Sequence, residues 1–79
     1  MEPFLGQIEL FPYGFAPSGW MLCNGSSLQV NQNSALYSLL GNQFGGNSTT
    51  FAVPNLTGAS PIVNTAFYIA LNGIYPSRE

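Results

Sequence analysis

A chain of 79 residues with one arginine, three glutamates and no other charged side chain is 5% charged, against roughly 25% in an ordinary soluble protein. Its 46% hydrophobic content is that of a folding sequence, since disorder goes with low hydrophobicity and high net charge. No lysine or histidine accompanies the single arginine, which excludes nucleic acid and anionic lipid as partners for want of counter-charge, and no apolar run reaches the ~20 residues of a membrane-inserted span.

In chain order, Leu5 to Phe11 alternates, with Ile8 and Leu10 on one face and Gln7, Glu9 and Phe11 on the other, and predicts a short strand. Pro12 to Gly19 collects turn formers around Tyr13 and Phe15 and reads as a loop pinned by its aromatics. Trp20 to Cys23 predicts a second strand closed by Asn24-Gly25, a pair suited to a tight turn. From Asn31 to Leu40 the spacing becomes helical, with Leu36, Leu39 and Leu40 on one face. Asn31 or Asn33 is placed to cap the start, and Gly41 stands where a helix end favours a left-handed residue. A polar turn at Gly45 to Ser48 leads into a β-prone stretch, Thr49 to Val53, which Pro54 ends.

Beyond a loop at 55–61, the segment Ile62 to Ile74 alternates with apolar residues on both faces: Phe67, Ile69 and Leu71 on one, Ala66, Tyr68 and Ala70 on the other. A strand apolar on both faces is covered on both. A domain this small buries only ~60% of its unfolded surface, so the second face is expected to meet another copy of the chain, through Phe67, Tyr68, Ile69 and Leu71. Arg78, the one cation, is expected to pair with Glu2 or Glu9 in its own subunit or a neighbour. Trp20, Cys23, Leu36, Leu39, Leu40 and Phe51 are the expected core.

Catalytic chemistry finds little material. Without His, Lys or Asp no general base stands near neutral pH, and Glu2 and Glu9 are read as solvated charges rather than a carboxylate pair. Cys23 lacks a cationic neighbour to activate it and reads as a buried, inert thiol. With one cysteine and no histidine neither a disulfide within the chain nor a zinc site is available, and no cofactor is implied. Gly45-Gly46 lacks the lysine of a phosphate loop. Asn-x-Ser/Thr triplets occur at Asn24, Asn47 and Asn55, with no secretory signal at the N-terminus to give them a glycosylation context. Tyr13, Phe15, Trp20, Phe44 and Phe51 could form a carbohydrate platform, but a small fold needs such residues in its core.

Specific residues then match a known pattern. Gly6-x-Ile8-x-x-Phe11, Pro17-x-Gly19-Trp20-x-x-Cys23-x-Gly25, Leu36 to Gly41, Gly45-Gly46 and Thr50-Phe51-x-Val53-Pro54-x-Leu56-x-Gly58 resemble the phage tail collar domain family, which includes tail-collar-like proteins of the "microcystin-dependent" type. Tyr68 to Arg78 resembles the ending of the latter group. Members of that family usually carry a long, often His-containing segment between the Pro-x-Leu-x-Gly element and the ending, where this chain has only Ala59 to Ala66. Asn24 and Asn55 stand where Asp is common, and Thr57 and Ala59 where Arg is common.

The expectations are therefore a small α+β domain of short strands and one short helix, with a collar core at 1–58, a linker at 59–61 and a C-terminal strand and tail at 62–79 engaged in subunit contacts. The resemblance implies a non-enzymatic structural subunit that associates with itself into an oligomer or filament, on a virion tail, extracellular fibre or cell surface, by an export route the sequence does not reveal. The alternative it implies is the tip module of a tail fibre, bound to a host-surface glycan or receptor.

Overall fold

A computed structural model describes residues 2–77. Five strands form two antiparallel sheets around one helix, the small α+β architecture expected. Strands β1 (Ile8–Phe11), β5 (Ala66–Ala70) and β2 (Trp20–Leu22) make the first sheet in the order β1-β5-β2, and β3 (Ser27–Gln29) pairs with β4 (Thr50–Ala52) in the second. A single 3-10 turn, Val30–Gln32, precedes helix α1 (Ser34–Leu40), so the helical spacing of 31–40 is divided between two elements.

Asn33 occupies the N-cap of α1, yet its side chain does not cap. Its Nδ2 donates back to the Gln29 carbonyl at 3.1 Å, because the preceding 3-10 turn presents that carbonyl four residues away. Gly41 ends the helix as expected, with φ 58 and its N–H donating to the Tyr37 carbonyl at 2.7 Å.

Register divides the first sheet into two faces. Ile8 opposite Ile69, Leu10 opposite Phe67 and Met21 opposite Ile69 make one; Glu9 opposite Tyr68, Phe11 opposite Ala66, Leu22 opposite Tyr68 and Trp20 opposite Ala70 make the other. Against the first face lies the core of Leu5, Cys23, Leu36, Phe51, Val53 and Ile69, with Leu39 and Leu40 half-buried at its margin. Trp20 is a correction to the expected core: register places it on the opposite face, where it stays half-buried against Phe11.

A second correction concerns the segment 62–74. Only Ala66–Ala70 is strand, since Asn64 adopts φ 64 and Pro61 to Asn64 form an exposed bend and turn without a partner strand. Strand β5 is moreover the centre of its sheet, with β1 on one edge and β2 on the other, so it offers no edge for strand addition. Its second face is covered from within the chain. The loop after β1 folds back so that the Tyr68 hydroxyl donates to the Tyr13 carbonyl at 2.8 Å, and Phe11 packs on the Tyr68 ring at 5.9 Å between centroids. Tyr68, Ile69 and Ala70 are buried, and Phe67 and Leu71 half-buried, without help from another copy. The expected pairing of Arg78 falls outside the described residues.

Candidate functional site

The Cys23 and Pro54 motifs, distant in sequence, are joined by their backbones. Leu56 N–H donates to the Cys23 carbonyl at 2.8 Å, Gly25 N–H to the Pro54 carbonyl at 3.3 Å, and Cys23 N–H to the Phe67 carbonyl at 3.0 Å. The residues that carry the family pattern therefore form a seam that closes the second sheet onto β5. Burial fixes Cys23 as an unreactive thiol, because desolvation pushes its pKa up to about 11.

That shift has a sign for stability. The folded thiol keeps its proton where the unfolded one, near 9.0, loses it, so the contribution is complete below pH 9 and is lost as pH rises from 9 towards 11. We expect the urea midpoint to fall between pH 8 and pH 10.5, and to fall less in Cys23→Ala. A native thiol that reacts with a disulfide reagent as fast as the denatured chain does would contradict this assignment.

The three Asn-x-Ser/Thr triplets share one local geometry. Asn24 Oδ1 accepts from the Ser26 N–H at 3.1 Å, Asn47 Oδ1 from the Thr49 N–H at 2.9 Å, and Asn55 Oδ1 from the Thr57 N–H at 3.2 Å. Each is an Asx turn, in which the amide mimics a backbone carbonyl and reverses the chain. Their recurrence thus has a conformational cause.

Two of the exposed regions outside the core bear on function. The first lies on the second face of the three-stranded sheet. Glu2, Gln7 and Glu9 stand beside Phe11 and Trp20 around an open groove of about 330 Å³. From this groove a ladder of rings runs outward, with Phe11 stacked on Tyr13 at 5.5 Å and 10°, and Tyr13 on Phe15 at 5.6 Å and 16°. Trp20 meets the edge of Phe11 at 5.0 Å and 89°. Tyr13 is 44% and Phe15 68% exposed, so this part of the aromatic set does not serve as core. Phe51 does, fully buried against Tyr37 at 5.3 Å, while Phe44 is exposed elsewhere.

The second region is the tip of the 60–65 bend, where Ile62 is 58% and Val63 84% exposed. Below it lies a pocket of about 240 Å³ whose apolar walls are Leu22, Leu56, Ala66 and Phe67. Sequence reasoning assigned Ile62 and Val63 to a strand and so missed the tip. Pro61 and Asn64, one a strand breaker and the other tolerant of positive φ, were the signals that could have found it.

Among the described residues no group of three or more His, Cys, Asp or Glu side chains could hold a metal ion, and no helix is long and apolar enough to cross a membrane. Comparison with known families adds one finding: residues 6–61 match the family model of the Phage Tail Collar Domain. No curated protein and no solved structure matched the chain.

Proposed function

The chain belongs to the phage tail collar domain family, and from that membership we propose that it is a structural, non-enzymatic subunit which associates with copies of itself in a phage tail fibre. The family carries a structural role in the tail fibre and a place on the virion tail. Self-association goes further, and one observation supports it: the exposed Ile62–Val63 tip beside an apolar-walled pocket that the ends of the same bend, Ser60 and Thr65, help to line.

Exposed branched aliphatics at a loop tip are costly to hydrate, and an apolar pocket beside them gives a copy of the chain something to fill. Neither the tip nor the pocket includes a charged side chain, so two copies meet there without electrostatic repulsion. Tip to pocket is a contact between different patches, which closes into a ring or extends into a filament according to its rotation. Phe67, expected from the sequence at a subunit contact, lines this pocket; Tyr68 and Ile69 are buried within their own subunit.

The test is Val63→Lys, examined by light scattering and electron microscopy beside the parent chain. Because the site is 84% exposed, the variant folds. Each aliphatic side chain buried at the contact is worth ~1.5–3 kcal/mol, so the assembly should shift towards monomers by at least about tenfold in concentration. A parent chain that is monomeric at high concentration, or a variant that assembles as well as the parent, would refute the reading.

A further inference from the structure

The chain has two Asn-Gly pairs, Asn24-Gly25 and Asn72-Gly73, and independently of self-association the structure assigns Asn72 as a site of spontaneous covalent modification while it holds Asn24 fast. Asparagine is thermolabile, most of all before glycine, whose missing side chain leaves its backbone nitrogen open to the asparagine Cγ. Hydroxide takes the proton of the glycine amide, the nitrogen bonds to Cγ, and the side-chain nitrogen leaves as ammonia with a proton from water, which returns the hydroxide. The product is a succinimide, and water opens it at either carbonyl. One opening gives aspartate. The other gives isoaspartate, in which the main chain runs through the former side chain and is one carbon longer.

At the first pair the reacting groups are engaged. Oδ1 of Asn24 accepts from the Ser26 N–H at 3.1 Å and from the Ser26 hydroxyl at 2.5 Å, and the Gly25 N–H donates to the Pro54 carbonyl at 3.3 Å. Ring closure turns the asparagine side chain and strips the glycine amide of its proton, so these bonds have to break first. The second pair sits differently. Asn72 is exposed in a bend, and its Nδ2 lies 3.9 Å from where a Cβ on Gly19 would stand, an ordinary packing contact. The backbone bonds around it are made by its neighbours, Leu71 N–H to the Gly19 carbonyl at 2.8 Å and Ile74 N–H to the Pro3 carbonyl at 2.9 Å. Among the described residues no hydrogen bond holds the Asn72 side chain or the Gly73 N–H.

Position gives the modification its effect on the fold. Residues 72 and 73 lie between the two anchored amides of Leu71 and Ile74. Gly73 is packed so closely that a Cβ on it would run into the Pro3 carbonyl oxygen and stand 3.1 Å from the Leu5 nitrogen. An extra main-chain carbon between those anchors has no room, so isoaspartate at position 72 releases Ile74 from Pro3 or Leu71 from Gly19. The bonds of Ile74 to Pro3 and Leu5 tie the two ends of the described chain together, and ageing at Asn72 therefore loosens that tie irreversibly. Aspartate keeps the length of the main chain and leaves the tie in place.

The test is incubation of the full chain at mildly alkaline pH and physiological temperature, native and in concentrated urea, followed by peptide mass spectrometry with a fragmentation that tells isoaspartate from aspartate. In urea the two pairs should react at similar rates, because nothing then holds either. In the native protein Asn72 should react at least about tenfold faster than Asn24, the least that the bonds at Asn24 are worth together, with isoaspartate as the main product. Aged protein should melt at a lower temperature than fresh protein and exchange its Leu5 and Ile74 amide hydrogens faster. Asn72→Gln, whose longer side chain closes a ring far more slowly, should keep both properties through the same incubation. A native chain in which Asn24 reacts as fast as Asn72, or in which Asn72 stays unchanged while the urea sample converts, overturns the inference. So does an isoaspartate-rich sample as stable as the fresh chain, or an equal loss of stability on ageing in Asn72→Gln.

Discussion

Replacing Phe51 by alanine takes away a large share of the stability of the fold. Phe51 is fully buried, and it joins three parts of the fold: its ring packs on Tyr37 of α1 at 5.3 Å, its backbone pairs with Leu28 of β3, and its side chain stands in the cluster with Cys23, Leu36, Val53 and Ile69. Truncating such a ring costs ~3–5 kcal/mol, from lost transfer energy and from the cavity left behind. A domain of this length holds roughly 4–12 kcal/mol in all, so the loss takes away a large share. Urea and thermal denaturation of Phe51→Ala and Phe51→Leu decide the matter. The leucine variant fills much of the volume and should lose far less. An alanine variant within about 1 kcal/mol of the parent would mean that the core lies elsewhere.

Several elements were legible because their signals are local. Alternation from Leu5 to Phe11 gives the two faces of β1, the leucines of 36–40 give the buried side of α1, and Gly41 gives its end. Strand β3 left no such trace. Ser27-Leu28-Gln29 offers one apolar residue in three, and its existence depends on pairing with Thr50–Ala52 more than twenty positions later. The central place of β5 was illegible for the same reason: nothing in Ala66–Ala70 says that β1 and β2, both far upstream, will take its two edges.

The reading of β5 as a strand in search of a partner went wrong on one physical point. It judged the covering capacity of the domain from its small size and left out the loop after β1. The loop from Pro12 to Gly19 was read as pinned by its aromatics, which holds, but its service as the lid on Tyr68 follows only from the hydrogen bond to the Tyr13 carbonyl. Residue types in the candidate groove were likewise visible in the sequence, while their grouping was not. Of the five aromatics considered for a platform, Tyr13, Phe15 and Trp20 come together with Phe11, and Phe51 goes to the core. Contact between Phe11 and Trp20 needs the strand order β1-β5-β2, a property of the whole chain.

Gly73 makes the second large prediction. Here the two ends of the described chain meet: Leu5 N–H donates to the Ile74 carbonyl at 2.9 Å, and Ile74 N–H to the Pro3 carbonyl at 2.9 Å. Gly73 lies inside this clasp with φ 150, where a Cβ would run into the Pro3 carbonyl oxygen and stand 3.1 Å from both Leu5 N and Phe4 C. These neighbours are backbone atoms of a paired segment and cannot swing aside as a side chain could. Gly73→Ala therefore combines a backbone conformation that L-residues rarely adopt with separation of the clasp. The strain alone is worth ~1–3 kcal/mol, and the hydrogen bonds lost add about 0.5–1.5 kcal/mol each. Gly14→Ala supplies the control, because a Cβ there meets nothing within 4 Å and removing glycine's freedom from the unfolded chain stabilises by ~0.4–1 kcal/mol where the conformation permits. The two variants should thus move the melting temperature in opposite directions, or at least by clearly different amounts, since each kcal/mol is worth about 4–8 °C in a domain of this size. Hydrogen exchange locates the effect: in Gly73→Ala the Leu5 and Ile74 amides should lose protection, while the Val30 amide, bonded to the Thr49 carbonyl at 3.0 Å just beyond the end of the β3–β4 pair, keeps more of its own. Equal stability of the two variants would show that the clasp is not a structural requirement of the fold.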